Sequence, residues 1–301
     1  MGEKVQLKGV HLLLTYKCVY ECDHCFVWSS PRSAGTMSLA QVQRILLQAA
    51  QIPSVDTIYF EGGEPFLFYP LLLEGVRMAR EMGFGVGIVS NAYWASNRDD
   101  AAMWLRPLSQ LGIKDLSLSE DEYHGEEESS RKVHRARSAA RSLGIPVQVL
   151  RVKGIKAYTC DASGNEQGGD LYFRGRGAAN LADKAEKRPW RELSTCPEGP
   201  PDIGRVHIDA YGTVEFCQGI SIGNVWHRPL KQVMEDLAPT KHPIIGPLIR
   251  GGPAQLAIEA KVKPKNLYAD PCHLCYEVRC RLRKSHRLVP ILRPDQAYGE
   301  D

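Results

Sequence analysis

The 301-residue chain has no apolar run as long as the roughly 20 residues of a membrane-spanning helix. Residues Met1 to Gly9 also lack the basic-then-apolar pattern of a secretory signal. Charge of one sign is not in excess. Lys and Arg total 38 against 35 Asp and Glu, and the net charge of +3 is too small to make nucleic acid the main partner. A disulfide framework is not expected either, because the nine cysteines are odd in number and the expected location is the reducing cytoplasm. What remains is a cytoplasmic globular chain without membrane association, whose cysteines serve metal binding or catalysis. Its 43% hydrophobic residues suffice for a packed core.

The cysteines are unevenly placed. Three lie at 18, 22 and 25, five lie between 196 and 280, and Cys160 stands alone as an ordinary cysteine. Residues 8 to 150 alternate short apolar runs with stretches of helical periodicity. The runs at 9–15, 57–61, 85–90, 114–119 and 146–151 read as strands buried on both faces. Ser38 with Gln41 reads as a capping box, Pro70 as a first-turn proline, and Gly83, Gly112 and Gly144 as helix ends. Pro107 conflicts with an unbroken helix. Glycines recurring about every thirty residues match repeated βα units with right-handed crossovers. The fold class is therefore α/β with a parallel sheet, open or curled, whose working edge is the carboxyl ends of the strands. Leu171–Phe173 reads as a sixth strand before Arg-Gly-Arg-Gly at 174–177, and residues 205–217 as a β-hairpin around Tyr211-Gly212.

Directly after the first strand comes Cys18-x3-Cys22-x2-Cys25. Three thiolates suit three irons of a cubane and leave the fourth iron open to a substrate. Zinc is the alternative, although structural zinc usually closes with a second ligand pair. The motif resembles the radical S-adenosylmethionine (SAM) superfamily, whose signature has an aromatic residue where His24 stands here. The resemblance implies a partial (β/α)6 barrel over residues 1–185, a SAM-binding 4Fe–4S cluster, and an adenine contact for His24. It also implies that the loop Glu61, Gly62, Gly63, Glu64 and Pro65 holds the SAM amino group. Glycines permit close backbone approach, and Glu64 offers a carboxylate to an ammonium. Ser90 and Asn91 resemble the superfamily's polar patch near the SAM ribose and carboxylate, Ser119 at the end of the fourth strand is a further candidate contact, and Arg151 suits the SAM carboxylate; ordinary loop-capping polarity is the other reading of each. Asp121 and His124 are candidates for proton transfer or substrate contact; a plain loop histidine is the other reading of His124.

The later cysteines resemble the SPASM/twitch extension of such enzymes: Cys196, fifteen residues, Gly212, four residues, Cys217, then Cys272-x2-Cys275-x4-Cys280. The spacing departs from the full pattern, so the expectation is a small C-terminal cysteine-rich domain over residues 186–288 with one auxiliary 4Fe–4S cluster and a spare cysteine. Zinc is again the alternative. Residues 289–301 read as a tail. The basic residues between 131 and 141 read as a solvated helix face, and Trp94, Tyr123 and Tyr158 as packing aromatics.

The expected activity is reductive cleavage of SAM to a 5′-deoxyadenosyl radical that abstracts hydrogen from a substrate C–H bond. Expected partners are a one-electron reductant such as flavodoxin or ferredoxin and a ribosomal peptide, with a small-molecule or cofactor precursor as the alternative substrate. Few residues precede the first strand, so no peptide-binding domain is expected there. A third reading is a non-catalytic zinc-binding interaction module.

Overall fold

Strands buried on both faces need apolar side chains at nearly every position, and β1 (Gly9–Thr15) has them in Leu12, Leu13 and Leu14, all fully buried. The computed structural model describes residues 6–124, 126–160 and 166–300, with the side chains of residues 124, 126, 157, 158, 160, 166 and 170 outside the description. Two compact units are present. One comprises Lys8–Cys22 and Ser29–Leu171, the other Met1–Leu7, Asp23–Trp28 and Tyr172–Asp301.

In the first unit, α1 (Leu39–Ala49), β2 (Thr57–Gly62), α2 (Tyr69–Glu81), β3 (Gly85–Ser90), α3 (Arg98–Gln110), β4 (Asp115–Asp121), α4 (Glu126–Ser142) and β5 (Val147–Lys153) follow β1. The five strands pair in parallel in chain order. The α1 capping box forms: Gln41 N–H donates to Ser38 Oγ at 3.3 Å, and Ser38 N–H to Gln41 Oε1 at 2.8 Å. Gly83, Gly112 and Gly144 hold positive φ after their helices, as C-cap positions require. Pro107 lies inside α3, whose span is uninterrupted.

The α/β class with a partial barrel holds, but the sixth strand lies elsewhere. Leu171–Phe173 is not a strand. The sheet instead continues through an antiparallel pair, β6 (Lys156–Cys160) and β7 (Glu166–Asp170), beside β5. The physical reason is chain length: two residues separate β5 from β6, which permits a hairpin and no crossover helix.

The second unit contains α5 (Arg176–Asn180), a two-residue strand β8 (Arg188–Pro189), β9 (Arg205–Ile208), β10 (Thr213–Cys217), β11 (Ile220–Asn224), α6 (Leu230–Asp236), α7 (Ile245–Glu259), β12 (Leu267–Tyr268, paired with β8) and α8 (Pro271–Lys284). The hairpin read from sequence is β9–β10, and β11 adds a third antiparallel strand. Asp209 shapes the turn, its Oδ1 accepting from the N–H groups of Tyr211 and Thr213 at 3.0 and 2.8 Å. Residues 289–300 pack into this unit, with Leu292 fully buried and Tyr298 OH donating to Gly219 O at 2.5 Å. Among the described residues, no helix is long and apolar enough to cross a membrane.

Candidate metal centres

The parallel strands of the first unit bring three segments together at their carboxyl ends, where ligands of α/β sheets gather. After β1, Cys18 is buried, and its sulfur accepts from Tyr20 N–H at 3.4 Å and Asn91 Nδ2 at 3.5 Å. Amide donors aimed at sulfur favour a thiolate, the form that binds iron. Cys22 is buried too. Tyr20 is pushed up to about 12, by burial first and then by Cys18, Cys22, Glu64 and Asp121, so its phenol stays protonated at neutral pH.

The loop after β2 packs tightly against the end of β1. Gly63 is required by protein there, since a Cβ would lie 2.2 Å from Lys17 O. The same close approach lets Gly63 N–H donate to Thr15 O at 2.6 Å and Glu64 N–H to Lys17 O at 2.9 Å. A Cβ on Gly62 would likewise meet Thr15 O at 2.3 Å. Glu64 has no exposed surface. Its Oε1 accepts from Phe66 N–H at 3.0 Å and Ser90 Oγ at 2.9 Å, and its Oε2 from Asn91 N–H at 2.7 Å. Burial raises its carboxyl to about 7 against those three bonds. The carboxylate expected at the SAM ammonium thus fastens the end of β2 to the end of β3. Pro65 opens the short 3₁₀ turn that Glu64 caps. Glu61 lies 3.5 Å from His11 Nδ1.

Ser90 and Asn91 are also built into this network. Ser90 Oγ donates to Glu64 and accepts from Trp94 Nε1 at 3.0 Å, and Asn91 Oδ1 accepts from Tyr93 N–H at 3.0 Å. Trp94 stacks on Phe66 at 4.5 Å, a core role. Asp121 is buried at the end of β4, where its Oδ1 accepts from Tyr123 N–H. Ser119 is half-buried on the same strand. Arg151 pairs with Glu120 of the neighbouring strand at 3.1 Å. The side chains of His124, Tyr158 and Cys160 lie outside the described residues.

In the second unit Cys25 is half-exposed, and its carbonyl accepts from Arg176 N–H at 2.8 Å. His24 is lowered to about 4, mainly by burial, and is neutral at pH 7. Cys196, Cys217, Cys272 and Cys275 line one cavity of about 20 Å3. Two come from the approach to and the end of the hairpin, and two from the first turns of α8, capped by Asp270. Burial pushes the Cys196 thiol up to about 12, with Cys275 and Cys217 adding to the rise, and burial also raises Cys272 and Cys275. A bound cation reverses that preference, since coordination stabilises thiolate. Four thiols facing one cavity therefore fit a metal centre. Cys280 does not line the cavity. Its neighbours are Tyr276 and the charged Arg279, Lys284 and Glu300. Sequence reasoning missed Arg174 and Arg279, which also line the cavity, because no spacing ties them to the cysteines.

Residues 12–155 match the family model described as the Radical SAM superfamily. Nearly half of the chain is thus similar to that superfamily. That superfamily is one of enzymes, and its domain implies a 4Fe–4S cluster and SAM. Among curated relatives, "Putative peptide biosynthesis protein YydG" of Bacillus subtilis (strain 168) is 29% identical over 117 residues, covering 39% of this chain and 37% of the relative. The "Tungsten-containing aldehyde ferredoxin oxidoreductase cofactor-modifying protein" of Pyrococcus furiosus is 29% identical over 116 residues, covering 38% and 31%. The chain thus spans about a third of the length of the curated relatives it matches. Among solved structures, native anSMEcpe with bound AdoMet aligns with TM-score 0.52 at 13% identity, covering 93% of this chain and 97% of that one. BtrN in complex with AdoMet and 2-DOIA aligns with TM-score 0.50 at 16% identity, covering 76% and 82%. Both likenesses concern the fold.

Proposed function

We propose that this chain is a radical SAM enzyme whose Cys18, Cys22 and Cys25 hold a 4Fe–4S cluster and whose second cysteine group holds an auxiliary one. The observation that carries the reading is the buried Cys18 sulfur with two N–H donors, at the carboxyl end of the first parallel strand, within the residues that match the radical SAM superfamily. When bound, the cluster supplies one electron that splits SAM into methionine and a 5′-deoxyadenosyl radical, which takes a hydrogen atom from substrate.

The chain's own residues hold the surroundings. Glu64 locks the β2 and β3 ends in place. Asn91 and the Tyr20 amide orient the Cys18 sulfur. Ser119, Asp121 and Arg151 are the candidates for SAM and substrate contacts at the ends of β4 and β5, with His24 for adenine. The auxiliary ligands are Cys196, Cys217, Cys272 and Cys275, and Cys280 is the spare. The reductant is a low-potential one-electron donor of the flavodoxin or ferredoxin type, and the setting is the cytoplasm.

The substrate reading is a peptide, supported by the similarity to a relative named for peptide biosynthesis. A small-molecule or cofactor substrate is the second reading, supported by the relative named for cofactor modification. Anaerobic reconstitution followed by iron, sulfide and 5′-deoxyadenosine measurement tests the core claim. About eight irons per chain with SAM cleavage supports both clusters. Zinc without iron or cleavage overturns the reading.

A further inference from the structure

The second cysteine group is unusual for the charge around it. Arg174 and Arg279 both line its cavity. The Arg174 side chain is 16% exposed and places Nη1 3.1 Å from Cys217 Sγ and 2.6 Å from Glu198 Oε1. Arg279 is 1% exposed, among the most deeply buried large side chains of the described residues. Its Nη1 donates to Gln218 O at 2.8 Å and Tyr298 OH at 3.0 Å, while its Nε is buried with no hydrogen-bond partner among the described residues. Gly219 makes room for it, since a Cβ there would meet Arg279 Nη1 and the Tyr298 ring, each at 2.9 Å. Among the described residues no carboxylate pairs with the Arg279 guanidinium, and an unpaired buried charge is costly unless a counter-charge is supplied.

We propose that Arg174 and Arg279 are positioning residues that supply the counter-charge of the auxiliary cluster and raise its reduction potential. The proposal rests on the auxiliary-cluster reading above. Four thiolates on an oxidised 4Fe–4S core sum to a charge of minus two, which two guanidiniums balance. Taking one electron from a reductant makes the complex minus three, with no proton transferred. The guanidiniums favour that reduced state more than the oxidised one, as nearby positive charge favours the more negative partner of any couple. Glu198 acts in the opposite sense by partly neutralising Arg174. Its other oxygen also accepts from Arg205 Nη2, at 3.0 Å. Both guanidiniums carry their charge, since arginine is not deprotonated in proteins.

The test uses the full chain carrying Cys18→Ala, Cys22→Ala and Cys25→Ala, reconstituted without oxygen, so that the remaining iron belongs to the second group. Its midpoint potential is read by electron paramagnetic resonance during a dithionite titration, beside iron and sulfide content. Arg174→Gln and Arg279→Met are expected to shift the midpoint to more negative values, Glu198→Gln to more positive values. Arg174→Lys and Arg279→Lys are expected to restore most of the shift. If Arg279→Met does not fold, Arg174→Gln and Glu198→Gln carry the test, because a merely structural role would not move the midpoint in opposite directions. Iron retained with an unchanged midpoint in Arg174→Gln and Glu198→Gln overturns the proposal and leaves the auxiliary cluster standing. No iron in the parent overturns the auxiliary-cluster reading itself, and the proposal falls with it.

Discussion

The surroundings of Cys18 and those of the Cys196–Cys275 cavity differ in sign. Near Cys18 the acids Glu64 and Asp121 act together with Cys18 and Cys22 on Tyr20. Around the cavity stand the guanidiniums of Arg174 and Arg279. In the proposed assignment the first group offers three thiolates and the second four, and the charged neighbours add to that difference. With net charge and hydrogen bonds among the terms that set cluster potentials, the first environment suits giving up an electron and the second suits taking one.

The largest expected effect breaks the first half of that comparison. Cys18→Ala, Cys22→Ala or Cys25→Ala should reduce 5′-deoxyadenosine formation to background, measured by chromatography after reduction with SAM present. Turnover retained in all three would show that the motif holds no catalytic cluster. Next, Cys272→Ala or Cys275→Ala should lower iron from about eight to about four per chain, whereas Cys280→Ala should leave iron and sulfide unchanged. Equal loss on replacing Cys280 would move it into the ligand set.

A smaller effect concerns Glu64. Its folded-state carboxyl lies near 7 rather than 4.5, so the folded protein holds the proton more tightly than the unfolded chain. The stability that this group contributes is complete below about pH 4.5 and is lost as pH rises through about 7. Urea unfolding at pH 5 and pH 8 should show wild type losing roughly 2–3 kcal/mol relative to Glu64→Gln. Parallel pH dependence in the two proteins would mean that burial of Glu64 is not the governing term. The smallest effect is Asn91→Ala, which removes one donor to Cys18. It should cost about 1 kcal/mol of stability and reduce iron retention during gel filtration, with Asn91→Gln intermediate. Full retention in Asn91→Ala would make the contact incidental.

Much of the first unit was legible because its strands are apolar runs preceded by helix-ending glycines and its helices carry their own caps, as Gly83 and Ser38 show. The β6–β7 pair was not, since Glu166-Gln-Gly-Gly-Asp170 has no hydrophobic alternation. Helices α6 to α8 were also missed. In α7 the Gly251-Gly252-Pro253 sequence interrupts the periodicity with two residues in non-helical conformation. Cysteine spacing pointed to the second group but could not show that Cys280 lies outside the cavity. Glu64 was read as a ligand-facing acid beside two glycines. The clue to its other role was Pro65 directly after it, the arrangement of a cap before a short helix.

The cavity cysteines come from three separate stretches of chain: the approach to the hairpin, its end, and α8. In the proposed assignment the metal is therefore a cross-link between segments that the unfolded chain leaves far apart, and it stabilises only the folded form. Iron supply then governs more than catalysis. A cell short of iron would make chains whose C-terminal part is the first to open to proteases, so the same centre that handles electrons would also set how long each molecule survives.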